Sequence, residues 1–83
     1  MIKIPLDARE LEHPIPLQLA LGHLQKMTQE EYLYMIHRKK PIPLIELAKE
    51  KGFICLVERD KEEIWHILIS KNQDVKLEEL IDV

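Results

Sequence analysis

The sequence predicts an α+β domain, a two-layer α/β sandwich of order β-α-β-α-β-β, with a four-stranded mixed sheet and two helices on one of its faces. Three observations lead there. The quartet Pro-Ile-Pro-Leu occurs twice, at residues 14–17 and 41–44. Each copy follows a short apolar, strand-like segment and precedes a stretch with apolar residues at helical spacing. Two further strand-like segments then flank a charged turn.

Ile2-Lys3-Ile4-Pro5-Leu6 alternates as a short strand, and Pro5, which lacks an N–H, places it at a sheet edge or ends it early. Leu17, Ala20, Leu21 and Leu24 recur at i, i+3, i+4 and i+7, which predicts a helix over residues 16–26. Residues 31–37, Glu-Tyr-Leu-Tyr-Met-Ile-His, are rich in side chains that suit a pleated, half-buried surface and form the second strand. Leu44, Leu47 and Ala48 predict the second helix over residues 42–51, with Gly52 just past its end. Residues 53–58 and 64–69 flank the turn Arg59-Asp60-Lys61-Glu62-Glu63 and read as a hairpin. The natural packing of this order is one mixed sheet with both helices on one side.

Proline accounts for the repeated quartet. A first-turn N–H has no partner inside a helix, so proline loses little there, and its fixed φ suits the helix start. Ile15 and Ile42 precede prolines and are expected to be extended, making a sharp strand-to-helix corner. Residues 1–71 thus form a single domain. In the tail, residues 72–83, Leu77, Leu80 and Ile81 after a capping Asp74 suggest a short helix.

Eighty-three residues bury only about 60–65% of the surface of the unfolded chain. That leaves no room for a deep enclosed cofactor cavity, and no cofactor is expected. With 46% hydrophobic and 33% charged residues the chain reads as globular. A net charge of −3 gives no general attraction to nucleic acid or to an anionic membrane. No apolar run approaches the roughly 18 residues of a membrane span. The opening residues meet charge at Asp7, Arg9 and Glu10 and contain no signal-like apolar region. The lone Cys55 cannot form an internal disulfide. A cytoplasmic location is the expectation.

The stretch Leu6-Asp7-Ala8-Arg9-Glu10-Leu11-Glu12-His13-Pro14-Ile15-Pro16-Leu17 resembles the signature of the TusA/SirA-like sulfur carriers, in which an LDxRGLxCPxP-type segment joins the first strand to the first helix. The order of elements agrees, and the resemblance covers residues 4–71. The stretch from His37 to Leu44 looks closer to an uncharacterised branch of that superfamily, without a strict Cys-Pro motif. Two departures stand out. Glu10 replaces a preferred glycine, and His13 stands where the carriers keep their cysteine. In the carriers, the resemblance implies, a thiolate at a helix N-terminus bears sulfur as a persulfide. Imidazole cannot do so. Sulfur-carrier activity is therefore not expected.

Cys55 lies in an apolar strand, where cysteine is ordinarily a small buried hydrophobe with no activated thiolate. His23 follows His13 by ten positions, about 15 Å of helical rise, so the two cannot share an ion. His13 and His37 both follow parallel strands and should approach each other, but two ligands do not make a metal site. Arg38-Lys39-Lys40 is the one basic run; its ordinary reading is a solvated turn, its functional one an anion or acidic-partner site. Tyr32, Tyr34 and Ile36 alternate with Leu33 and Met35, so the strand is apolar on both sides. Either these residues coat an exposed face, or that face meets a protein partner or a second copy.

Neither a Gly-rich phosphate loop nor a zinc-type cysteine pair nor a nucleophile elbow occurs. The reading leans against an enzyme and toward a non-catalytic accessory or protein-interaction module. The alternative is a small sulfur- or redox-related transfer protein using His13 or Cys55. Contacts are expected through His13, His37, Arg38 and Lys39, at the sheet end where the two corners meet, rather than through a hairpin taken to lie at the opposite end.

Overall fold

A computed structural model describes residues 1–83. Strand β1 spans Ile2–Asp7, helix α1 Ile15–Lys26, strand β2 Glu31–His37, helix α2 Ile42–Glu50, and strands β3 and β4 Ile54–Arg59 and Trp65–Ser70. The sheet order is β1-β2-β4-β3, with β1 parallel to β2 and β4 antiparallel to both β2 and β3. The expected mixed sheet is therefore present. Pro5 sits in the edge strand β1 opposite Tyr34, where a missing N–H is tolerated.

Neither Ile15 nor Ile42 is the extended corner residue expected before a proline: each is the first residue of its helix, which for Ile42 agrees with the predicted start and for Ile15 begins the helix one residue early. Pro14 and Pro41 are the N-cap residues, and Pro16 and Pro43 follow within the first turn. The crowding ahead of a proline disfavours helical geometry without forbidding it. Here tight turns outweigh it: Ile15 N–H donates to the Glu12 carbonyl at 2.9 Å and Ile42 N–H to the Lys40 carbonyl at 3.0 Å. Helix α2 stops where Gly52 takes φ +85°. Gly52 N–H donates to the Lys49 carbonyl and Phe53 N–H to the Ala48 carbonyl, both at 3.0 Å, which is a Schellman ending.

The helices cover one face of the sheet. Ala20 and Leu24 of α1 and Leu44 and Ala48 of α2 pack against Leu33 and Met35 of β2 and Ile67 and Ile69 of β4. The other face carries a second core of Tyr32, Tyr34 and Leu68, closed by Leu77 with Val75, Leu80 and Ile81. Tyr32 and Tyr34 are only 6% and 5% exposed. The Tyr face is thus neither a solvated coat nor an open surface, because the chain's own tail lies on it. A sheet covered on both sides explains the unbroken apolar run of β2.

The tail forms a single 3-10 turn, Leu77–Glu79, that begins after Lys76 with no side-chain cap. Asp74 is not a cap; its N–H donates to the Asn72 side chain. So short a segment cannot sustain an α-helix by itself, and its apolar side chains are buried by the sheet instead. The β3–β4 turn also differs from expectation. Trp65, the first residue of β4, pairs with His37, the last of β2, so the turn shares the sheet end of the two corners.

Candidate functional site

Parallel β1 and β2 both end at the same edge of the sheet, and each feeds a Pro-Ile-Pro-Leu corner into a helix. Between the corners lies an open cleft of about 640 Å³. Its lining includes all four expected contact residues, His13, His37, Arg38 and Lys39, with Arg9, Glu10, Glu12 and Lys40 beside them. Only three of its 14 lining residues, Leu11, Leu17 and Leu44, are hydrophobic, unlike the largely apolar pockets that hold neutral small molecules.

The cleft's charges are partly committed. The Arg9 guanidinium clamps Asp7 at 2.8 Å and holds its carboxyl down to about 2. Arg38 donates to Glu10 Oε1 at 2.9 Å, an exposed pair that ties the second corner to the first. Lys39 N–H donates to His37 Nδ1 at 3.2 Å, which leaves Nε2 as the proton-bearing nitrogen of the neutral ring. Burial, with Lys39 nearby, pushes the His37 pKa below its ordinary value. At the head of each helix, the N–H of Leu17 and of Leu44 finds no backbone acceptor, the usual state of first-turn amides. Each quartet thus leaves one free amide, and both leucines line the cleft.

Residues 5–71 match the family described as "Uncharacterized conserved protein (DUF2249)". The chain belongs to this family. A structure search aligns it with the crystal structure of a SirA-like protein from Desulfitobacterium hafniense, at 17% identity and a TM-score of 0.73. The alignment covers 88% of this chain and all of that one. The DUF2249 chain therefore has a SirA-like fold, as the resemblance in its first corner implied. No match was found among curated proteins.

In this DUF2249 chain an exposed His13 occupies the first corner, joined to Pro14 by a cis peptide bond. The one cysteine is elsewhere: Cys55 is half-buried in β3 against the helix-side core. Burial pushes its thiol up, away from the thiolate. His23 lies on α1 and does not line the cleft. No three His, Cys, Asp or Glu side chains gather closely enough to hold a metal ion, and no helix is long and apolar enough to cross a membrane.

Sequence reasoning missed a second polar cluster, on the tail side of the sheet. Asp60 Oδ2 meets His66 Nε2 at 2.8 Å, His66 Nδ1 meets the Tyr34 hydroxyl at 2.7 Å, and Asp82 N–H donates to that hydroxyl at 2.9 Å. Hydrogen bonds from His66, Ile64 and Glu62 hold Asp60 below the usual carboxylate range. Being ionised it only accepts, so Nε2 carries the proton and, in the neutral ring, Nδ1 accepts from Tyr34. Every partner in the chain of bonds is then satisfied. Lys3 caps it, 4.3 Å from the Tyr34 ring centroid and 3.4 Å from Asp82. The only hint in the sequence was an Asp within the hairpin turn, a residue that commonly bonds its own turn.

Proposed function

We infer that this chain is a non-catalytic interaction module on a SirA-like fold, which meets a protein partner through the cleft between its two corners and does not carry sulfur. The observation behind this reading is convergence. Two segments far apart in sequence bring His13, His37, Arg38 and Lys39 to one open cleft at the end of parallel strands, the usual binding place in such units. The alternative, transfer chemistry at Cys55, is weakened by a thiol that burial holds in its protonated form.

Chemical-shift mapping with a co-purified partner tests the contact surface. Shifts at His13, His37, Arg38 and Lys39 are expected. Shifts at the β3 edge or on the tail, with those four unmoved, would reject the cleft. Incubation with a cysteine desulfurase and cysteine tests the second half, and no persulfide mass increment at Cys55 is expected. An increment that disappears in Cys55→Ala would restore sulfur transfer as the function.

A further inference from the structure

Six large apolar side chains are exposed. Met1, Ile2 and Val83 belong to the ends of the chain. The remaining three lie in the early turns of the two helices: Ile15 and Ile42 each directly precede a proline that lines the cleft, and Leu19 follows Ile15 by one helical turn. Ile15 and Leu19 are 44% and 43% exposed and one helical turn apart on the same face of α1. Ile42, at 52%, holds the corresponding place on α2, directly before its proline. A solvated helix face ordinarily carries charged or polar residues. Helix α1 has no charged residue before His23, in a chain of which 33% is charged.

The cleft beside these residues has the opposite character. It holds four cations against two carboxylates, in a chain whose net charge is −3. Arg9 and Arg38 are paired with Asp7 and Glu10, but Lys39 and Lys40 have no carboxylate partner. A basic trough with apolar lips fits a ligand that carries carboxylates and apolar side chains together. A free inorganic anion would use only the first feature, and an apolar small molecule only the second.

We propose that the cleft and the Ile15–Leu19–Ile42 surface form one docking site for an acidic peptide segment of the partner protein. Its carboxylates meet Lys39 and Lys40, and its apolar side chains rest on Ile15, Leu19 and Ile42. This rests on the cleft being the contact surface and adds the chemistry of what enters it. Charge supplies speed and selectivity of encounter, and the apolar contacts lengthen the stay.

The test titrates a capped peptide of alternating glutamate and leucine into the 83-residue chain, isotope-labelled. Controls are the same peptide with lysine for glutamate, the same with serine for leucine, and citrate as a free polycarboxylate. The glutamate–leucine peptide should shift the amides of Ile15, Leu19, Lys39 and Ile42 and weaken as salt is raised. Replacing both Lys39→Glu and Lys40→Glu should cut affinity about tenfold or more. Ile42→Ser should cut it about threefold. All three positions are exposed, so the variants keep the fold. Equal binding of the lysine peptide, citrate reproducing the shifts at the same affinity, or no saturable shift would each overturn the proposal. A native partner that maps to the cleft through a basic segment would reject this chemistry alone. One that maps elsewhere would reject the contact surface itself.

Discussion

His37 stands where two neighbours set its protonation, and a pH dependence follows. Burial and Lys39 lower its pKa in the folded chain, and the Lys39 N–H donates to the Nδ1 that a second proton would need. The unfolded chain takes that proton at about pH 6.5. Below that value the unfolded state binds more protons than the folded one, so this contribution makes stability fall as pH falls through the window down to the depressed pKa. Thermal melts across mildly acidic pH should show the loss, and His37→Asn, which keeps an acceptor for Lys39 N–H but cannot titrate, should flatten it. An unchanged slope in that variant would assign the effect to another group. Cys55 behaves oppositely in use, since the burial that raises its thiol pKa should leave it slow to alkylate in the folded chain near neutral pH. Labelling as fast as that of a free thiol would contradict this.

The bonds that join elements across the sheet give a prediction at the next scale. The hydroxyl of Tyr34 links β2 to His66 of β4 and to the tail at Asp82. Tyr34→Phe keeps the ring but strands the Asp82 N–H and His66 Nδ1, at a cost of about 1–3 kcal/mol; urea denaturation measures it. A midpoint unchanged from the parent would mean that water replaces the hydroxyl. The same elements show what could be read in advance. Strand β2 matched its predicted limits, residues 31–37, because its composition is strand-like between polar flanks. Helix α2 ended one residue early, at Glu50, with Lys51 as its cap before the positive-φ Gly52. The tail could not be read, because Leu77, Leu80 and Ile81 have helical spacing yet are placed by burial on a distant surface. Nor could the Asp60–His66–Tyr34 cluster: Tyr34 lies 32 positions from His66 and 48 from Asp82, and local patterns carry no trace of such pairings. In the site, the placing of His13 and His37 on one cleft followed from the strand topology together with the resemblance, whereas the Arg38–Glu10 pair and the exposure of Ile15, Leu19 and Ile42 needed coordinates.

The whole molecule is a sheet with a core on each side, one under the helices and one under the tail. Removing residues 72–83 should lower the denaturation midpoint, since Leu77 alone is 4% exposed and burying a leucine is worth about 1.5–3 kcal/mol. It should also increase self-association, measured by light scattering, because Tyr32, Tyr34 and Leu68 would form an uncovered apolar patch. A truncated chain with an unchanged midpoint would show the tail to be a passive cover. The hairpin end adds one practical consequence. Lys40, which lines the cleft, sits 5.6 Å from the ring centroid of Trp65, and Arg59 sits 5.5 Å from it on β3. Trp65 is the only tryptophan in the chain, so its fluorescence comes from one known place beside the cleft. A bound carboxylate that draws Lys40 off the indole changes the emission directly. Occupancy can therefore be followed by light, without a label, in the unmodified protein.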